Sequence, residues 1–237
     1  MPSSSSPPRI KACIFDMDGL LLDTETIYSE VTNKILEPYG KVFPLETKIK
    51  MMGRDVRAAT DILLSDLQIP LSFEEYNAKA LALKEELFRK AEMMPGAERL
   101  IRHLASSGIP IAVATSSARP MFAIKTARHQ SVFGLFNGNV TCGDDPAISN
   151  AKPAPDLFLT AMDRLDKALQ PADCLVFEDA TNGIEAANNA RMSSVWVHDM
   201  RFALGGSAPK DSHGATERIT SLVSFDPSKY GLPPFSS

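Results

Sequence analysis

Ile10-Lys-Ala-Cys-Ile-Phe15-Asp16-Met17-Asp18-Gly19 is a short apolar run that stops abruptly on two aspartates spaced i, i+2. A run of that length and composition, ending in charge, predicts a buried parallel strand with acidic groups at its C-terminal end. Similar runs recur at Ile109–Ala114, Val140–Cys142, Cys174–Phe177 and Ser194–Val197. Helical stretches separate them. One starts at Pro95-Gly96, carries Leu100, Ile101 and Leu104, and stops at Gly108, a suitable glycine beyond a helix end. Strand alternating with helix predicts an α/β fold, a doubly wound parallel sheet with right-handed crossovers.

Residues 20–93 break the alternation because they read as almost wholly helical. Ser72 and Glu75 have capping-box spacing, and Phe73, Tyr76, Ala80, Leu83 and Leu87 then form one apolar face. Leu63 and Leu67 supply part of a facing stripe. The expected organisation is a disordered Ser/Pro-rich tail at 1–8, an α/β core from 9–19 and 94–237, and a small helical cap at 20–93 over the strand ends.

Those strand ends carry the chemistry. Asp16 and Asp18 follow the first run, Thr115 and Ser116 the second, Lys152 comes after the third, and Glu178-Asp179 follow the fourth. In open α/β sheets this edge is where ligands bind. Carboxylates gathered in one crevice repel each other, and a hard divalent cation that keeps part of its water, Mg²⁺, relieves the repulsion. The candidate metal residues are Asp16, Asp18, Asp179 and Glu178, although a supporting role behind the metal satisfies Glu178 as well. Asp16 is also a candidate nucleophile toward phosphorus, and Asp18 a candidate acid and base, a role that calls for a raised pKa. Lys152 offsets the repulsion between a carboxylate and a phosphate dianion, roughly 4 kcal/mol per charge pair at 4 Å and an effective dielectric of 20. The Thr115 hydroxyl and the N–H groups after it, beginning at Ser116, are candidate donors to phosphoryl oxygens. For Thr115 the competing role is capping the following helix.

The bulk numbers fit this reading. The 237 residues carry a formal net charge of −4, which argues against nucleic acid or an anionic membrane as partner. Cys13, Cys142 and Cys174 lie in apolar runs without metal-binding spacing, as expected of reduced thiols in a cytoplasmic protein. The start lacks the apolar segment of a secretory signal, and no apolar run approaches the roughly 18 residues of a membrane span.

In this order, the four motifs resemble the haloacid dehalogenase-like hydrolase superfamily. The resemblance implies Mg²⁺ held by the Asp16 side chain, the Asp18 backbone carbonyl and Asp179. It also implies phosphoryl transfer rather than dehalogenation, because dehalogenases lack the second aspartate. No cap lysine is identifiable for Schiff-base chemistry of the phosphonatase type. Phe15–Glu25, Lys50-Met-Met-Gly-Arg54, Gly143-Asp-Asp-Pro146, Lys152–Asp156 and Gly231-Leu-Pro-Pro-Phe235 are similar to a eukaryotic subgroup. That subgroup contains pseudouridine-5′-phosphatase and the plant and fungal glycerol-3-phosphate phosphatases. The expected function is a phosphomonoesterase working through an aspartyl phosphate on a small phosphate ester, as a monomer or dimer. Glu25 and Arg54 are candidate substrate contacts. The alternatives are a sugar phosphomutase, with Arg54 gripping a second phosphate, and a catalytically silent binding protein.

Overall fold

The computed structural model describes residues 10–51, 54–202 and 211–236; the tail expected at 1–8 lies outside them. Six parallel strands form one sheet: β1 (Ala12–Phe15), β2 (Ile111–Thr115), β3 (Val140–Cys142), β4 (Cys174–Glu178), β5 (Ser193–Val197) and β6 (Glu217–Ile219). Their order is β3-β2-β1-β4-β5-β6, so the direction of winding reverses between β1 and β4. Side-chain alternation splits β1 between two cores. Cys13 and Phe15 pack on one face with Phe177, Leu100 and Phe136, while Ala12 and Ile14 pack on the other with Val176, Leu157 and Ala186. Phe15 stacks on Phe177 at 4.7 Å, locking β1 to β4 at the reversal.

Four helices lie between β1 and the next core helix: α1 (Thr24–Leu36), α2 (Leu45–Met51), α3 (Val56–Leu67) and α4 (Phe73–Leu87). The Ser72–Glu75 capping box forms at the start of α4. These helices have their own core of Ile27, Val31, Leu63, Tyr76, Leu87 and Phe88. The chain enters and leaves this helical segment side by side. Asp23 N–H bonds to Glu92 O at 2.9 Å, and Met94 N–H to Leu21 O at 2.9 Å. Asp23 caps α1, and Arg201 holds the Asp23 carboxylate with two bonds of 2.8 and 3.0 Å. A cavity of about 450 Å³ lies beside this hinge, lined by Leu20, Met93, Met94 and Arg201. None of Asp16, Asp18, Glu178 and Asp179 lines it.

The core continues with α5 (Ala97–Ser106), α6 (Arg119–Thr126), α7 (Gln130–Phe133), α8 (Asp156–Leu165) and α9 (Thr181–Asn189). Helix α6 is the bridge to the helical segment, because Met121 and Ile124 pack against that segment's core. Among the described residues, no helix is long and apolar enough to cross a membrane.

Candidate active site

Asp16 stands one residue past β1, and its N–H bonds to the Phe177 carbonyl of β4 at 3.0 Å. That bond places it on the line where the strand order reverses. Its Oδ1 accepts from Lys152 Nζ at 2.6 Å. The same ammonium donates to Glu178 Oε1 at 2.7 Å and to the Ala114 carbonyl at 3.3 Å. Three donors thus meet three acceptors, which makes it tolerable for a side chain only 4% exposed to carry a charge. Burial pushes the Asp16 carboxyl up to about 7; the Lys152 charge opposes this, and Glu178 and Asp18 reinforce it. Burial alone would lower the Lys152 ammonium, but its two carboxylate partners raise it above the ordinary lysine range.

Glu178 was expected among the metal ligands, and the structure gives its oxygens other partners. Oε1 takes Lys152, and Oε2 accepts the Ala180 N–H at 2.8 Å. Gly183 on α9 makes room for it: a Cβ there would stand 1.7 Å from Glu178 Oε1. Gly183→Ala is therefore expected to invert its usual sign. Helix propensity favours alanine by about 1 kcal/mol, yet the clash must displace Glu178 and with it Lys152. Thermal melting should show a lower Tm, and activity assays at least about a tenfold loss from misplaced Lys152.

Asp179 follows on the same strand end. Its backbone carbonyl accepts Trp196 Nε1–H at 2.8 Å, which pins the turn to β5. The carboxylate lies against the turn after Asp18, where Gly19 has φ +83° and a Cβ would meet Asp179 Oδ2 at 2.2 Å. Only glycine fits this approach. Burial raises the Asp179 carboxyl well above the ordinary range, with Glu178, Asp16 and Glu25 adding to the rise and Lys152 opposing it.

These facts test the fit of Mg²⁺. Among the described residues, no three acidic, histidine or cysteine side chains converge closely enough to chelate an ion unaided. Mg²⁺ does not demand three, since it keeps several waters and commonly takes one or two carboxylates. Asp16 and Asp179 are two such carboxylates, both held above the ordinary range by burial, and the Asp16 charge adds to the rise at Asp179. A cation between them would remove that penalty, so the donor set fits.

Asp18 departs from expectation. Its Oδ1 accepts Lys125 Nζ at 2.5 Å, and Oδ2 accepts the Ser117 hydroxyl at 2.8 Å and, more weakly, Thr115 Oγ1 at 3.4 Å. Burial would raise this carboxyl, but the Lys125 charge and the bonds from Lys125 and Ser117 outweigh it, and the net shift is downward. The acid role called for the opposite direction. Thr115 is fully buried, and its Oγ1 accepts the Ser117 N–H at 3.1 Å, so its hydroxyl shapes the β2–α6 turn. Ser116 beside it is exposed.

Of the two candidate substrate contacts, only Glu25 is brought toward the carboxylates, near enough for its charge to act on Asp179. Lys48 of α2 holds it, with Nζ 3.0 Å from Glu25 Oε2 and 2.8 Å from Ser29 Oγ. Arg54 is exposed at the turn between α2 and α3. Lys125, Ser117 and Lys48 escaped the sequence reading. Lys125 had one signal: it follows Met121 by four and Phe122 by three, on the stripe where α6 should be apolar.

A family model described as haloacid dehalogenase-like hydrolase matches residues 10–191. A Drosophila melanogaster protein named "Probable pseudouridine-5′-phosphatase" is 46% identical over 228 residues, covering 96% of each chain. "(DL)-glycerol-3-phosphatase 2" of Arabidopsis thaliana is 44% identical, covering 94% of this chain and 91% of its own. Among solved structures, a HAD family hydrolase from Deinococcus radiodurans R1 superimposes with a TM-score of 0.73 at 23% identity. That match covers 96% of this chain and all of the other, and it speaks to the fold.

Proposed function

This chain belongs to the haloacid dehalogenase-like hydrolase family, and from that premise we propose that it is a Mg²⁺-dependent phosphatase of small, hydroxyl-rich phosphate monoesters, with Asp16 as nucleophile. One observation carries the reading: the buried Lys152 ammonium joins Asp16 to Glu178 at the strand-order reversal, at 2.6 and 2.7 Å. A lysine there serves a carboxylate that must approach a phosphate dianion. The names of the Drosophila and Arabidopsis relatives support pseudouridine 5′-phosphate and glycerol 3-phosphate as substrates to try first.

In the first half-reaction an Asp16 oxygen bonds to phosphorus and the ester P–O bond breaks. The departing alkoxide takes a proton from Asp18, which must turn from Lys125 and bind that proton to act as the acid. In the second half-reaction water attacks phosphorus and gives its proton to the ionised Asp18, and the acyl–phosphate bond breaks to restore Asp16. Lys152 stabilises the charge on the transferring group throughout, with Glu178 holding the lysine in place. Asp16, Asp179 and the Asp18 carbonyl would hold Mg²⁺, whose chemistry is to neutralise charge between nucleophile and phosphoryl group. The N–H groups after Thr115, from Ser116 on, would cradle phosphoryl oxygens.

Glu25 deepens the substrate reading. A carboxylate held by Lys48 and facing the acidic crevice accepts hydrogen bonds from hydroxyls and repels a second anion. The mutase alternative needs a basic residue that grips a second phosphate, and Arg54 stands exposed at the turn between α2 and α3. The test is phosphate release from pseudouridine 5′-phosphate, glycerol 3-phosphate and p-nitrophenyl phosphate, with Mg²⁺ and with chelator. Activity undiminished by chelator would defeat the metal assignment. Glu25→Gln should raise KM for the best polyol ester about tenfold, as a lost hydrogen bond to a charged acceptor would, and raise KM for p-nitrophenyl phosphate far less.

A further inference from the structure

Lys125 is a core residue that no motif singles out, yet its side chain is wholly buried, at 0% exposure. Its ammonium donates to Asp18 Oδ1 at 2.5 Å and to Ser117 Oγ at 2.9 Å, and it lies 3.5 Å from Tyr28 OH. Above it, the Phe88 ring centroid is at 4.5 Å and the Tyr28 ring centroid at 5.5 Å. Both aromatic residues belong to the helical segment, so the ammonium is sealed at the joint between segment and core. Its three hydrogens have acceptors within the protein, and the Phe88 and Tyr28 rings close the remaining side, which shields the ammonium from a substrate. Lys125 therefore acts through Asp18.

Ser117 completes the arrangement, receiving a bond from Lys125 and giving one to Asp18 Oδ2 at 2.8 Å. With a donor on each oxygen, the Asp18 carboxylate is presented in its acceptor-only form, its direction set by Lys125 and Ser117 for as long as those bonds hold. That form suits one half-reaction, the one in which Asp18 takes a proton from water.

We propose that Lys125, with Ser117, is a positioning residue for the second half-reaction, holding Asp18 as the base that activates water against phosphorylated Asp16. The proposal rests on the aspartyl-phosphate reading above. Its signature is a split between constants. The ratio kcat/KM for p-nitrophenyl phosphate covers only steps through loss of nitrophenolate, which departs as a stable anion without needing a proton. By contrast, kcat includes hydrolysis of the phosphoenzyme.

Lys125→Met should lower kcat about 10²-fold, the usual worth of a positioned base. KM should fall alongside, so that kcat/KM falls far less than kcat. Rapid mixing should show a burst of nitrophenolate near one per active site, and acid quenching a phosphoenzyme that accumulates. If kcat/KM falls as far as kcat, or kcat is untouched, the proposal is wrong. Should Lys125→Met not fold, Ser117→Ala removes the other donor at little structural cost. It must give the same split at smaller amplitude, and an unsplit loss or no loss there overturns the proposal equally. A wild-type enzyme that releases phosphate but never forms a phosphoenzyme would overturn the aspartyl-phosphate reading, and this inference with it.

Discussion

Asp16→Asn should abolish phosphate release, at least about 10³-fold, while leaving the fold as stable as wild type or more so. The activity loss follows because an amide oxygen is too weak a nucleophile to displace an alkoxide from phosphorus. The stability result follows from the site's electrostatics. The folded protein holds the Asp16 carboxyl up to about 7, through burial, against the pull of Lys152 and with the push of Glu178 and Asp18. Below about pH 4 the group is protonated in both folded and unfolded chains. As pH rises from there toward 7, the unfolded chain releases the proton and the folded chain retains it, so stability falls across that window. At pH 7 and above, an ionised Asp16 therefore costs stability without metal, and asparagine does not. Lys152 keeps Glu178 as a partner in the variant. Thermal melts in chelator at pH 7.5 check this. A large drop in Tm would mean that Asp16 is chiefly structural.

Lys152→Met should lose activity and stability together. Methionine fills much of the volume beside the Phe158 ring, whose centroid is 4.8 Å from the Lys152 ammonium, but leaves Asp16 and Glu178 buried without their shared cation. Breaking a buried pair in this way costs about 3–5 kcal/mol, or roughly 10 °C in Tm for a chain of this size. Removing one charge near a phosphate dianion also forfeits roughly 4 kcal/mol of offset at an effective dielectric of 20, about 10³-fold in rate. The two variants thus share a loss of activity and differ in the sign of their stability change. That contrast separates a nucleophile from its supporting cation.

Much of the fold was legible because its signals are local. The apolar run before Asp16, the run before Glu178 and the Ser72–Glu75 cap each declare themselves within about ten residues, and the structure forms all three. Strand β6 gave no such signal. Glu217-Arg-Ile219 is three partly exposed residues at the sheet edge, placed by pairing with β5 rather than by their own apolarity. The C-terminal return was likewise hidden, since Phe225, Tyr230 and Leu232 join the core from beyond the last predicted strand.

The site divides along the same line. Asp16, Asp179 and Lys152 sit at strand ends or on the loop just before a helix, where topology alone brings them together. The setting of Asp18 depends on Lys125, 107 residues away, and on Ser117, 99 residues away. Whether Asp18 is pushed up or down in pKa turns on which of its neighbours is a cation, and spacing in the chain carries no such information. The same holds for Glu25, whose partner Lys48 lies on a different helix.

The account stands or falls on a phosphoryl group residing on Asp16 during turnover. Enzyme mixed with Mg²⁺ and substrate, quenched in acid within its first turnovers and mapped by mass spectrometry, should carry phosphate on the peptide containing Asp16-Met-Asp18, fragmenting to Asp16, and Asp16→Asn should carry none. Rapid phosphate release with that peptide unmodified at every quench time, or with the label on another residue, would contradict it.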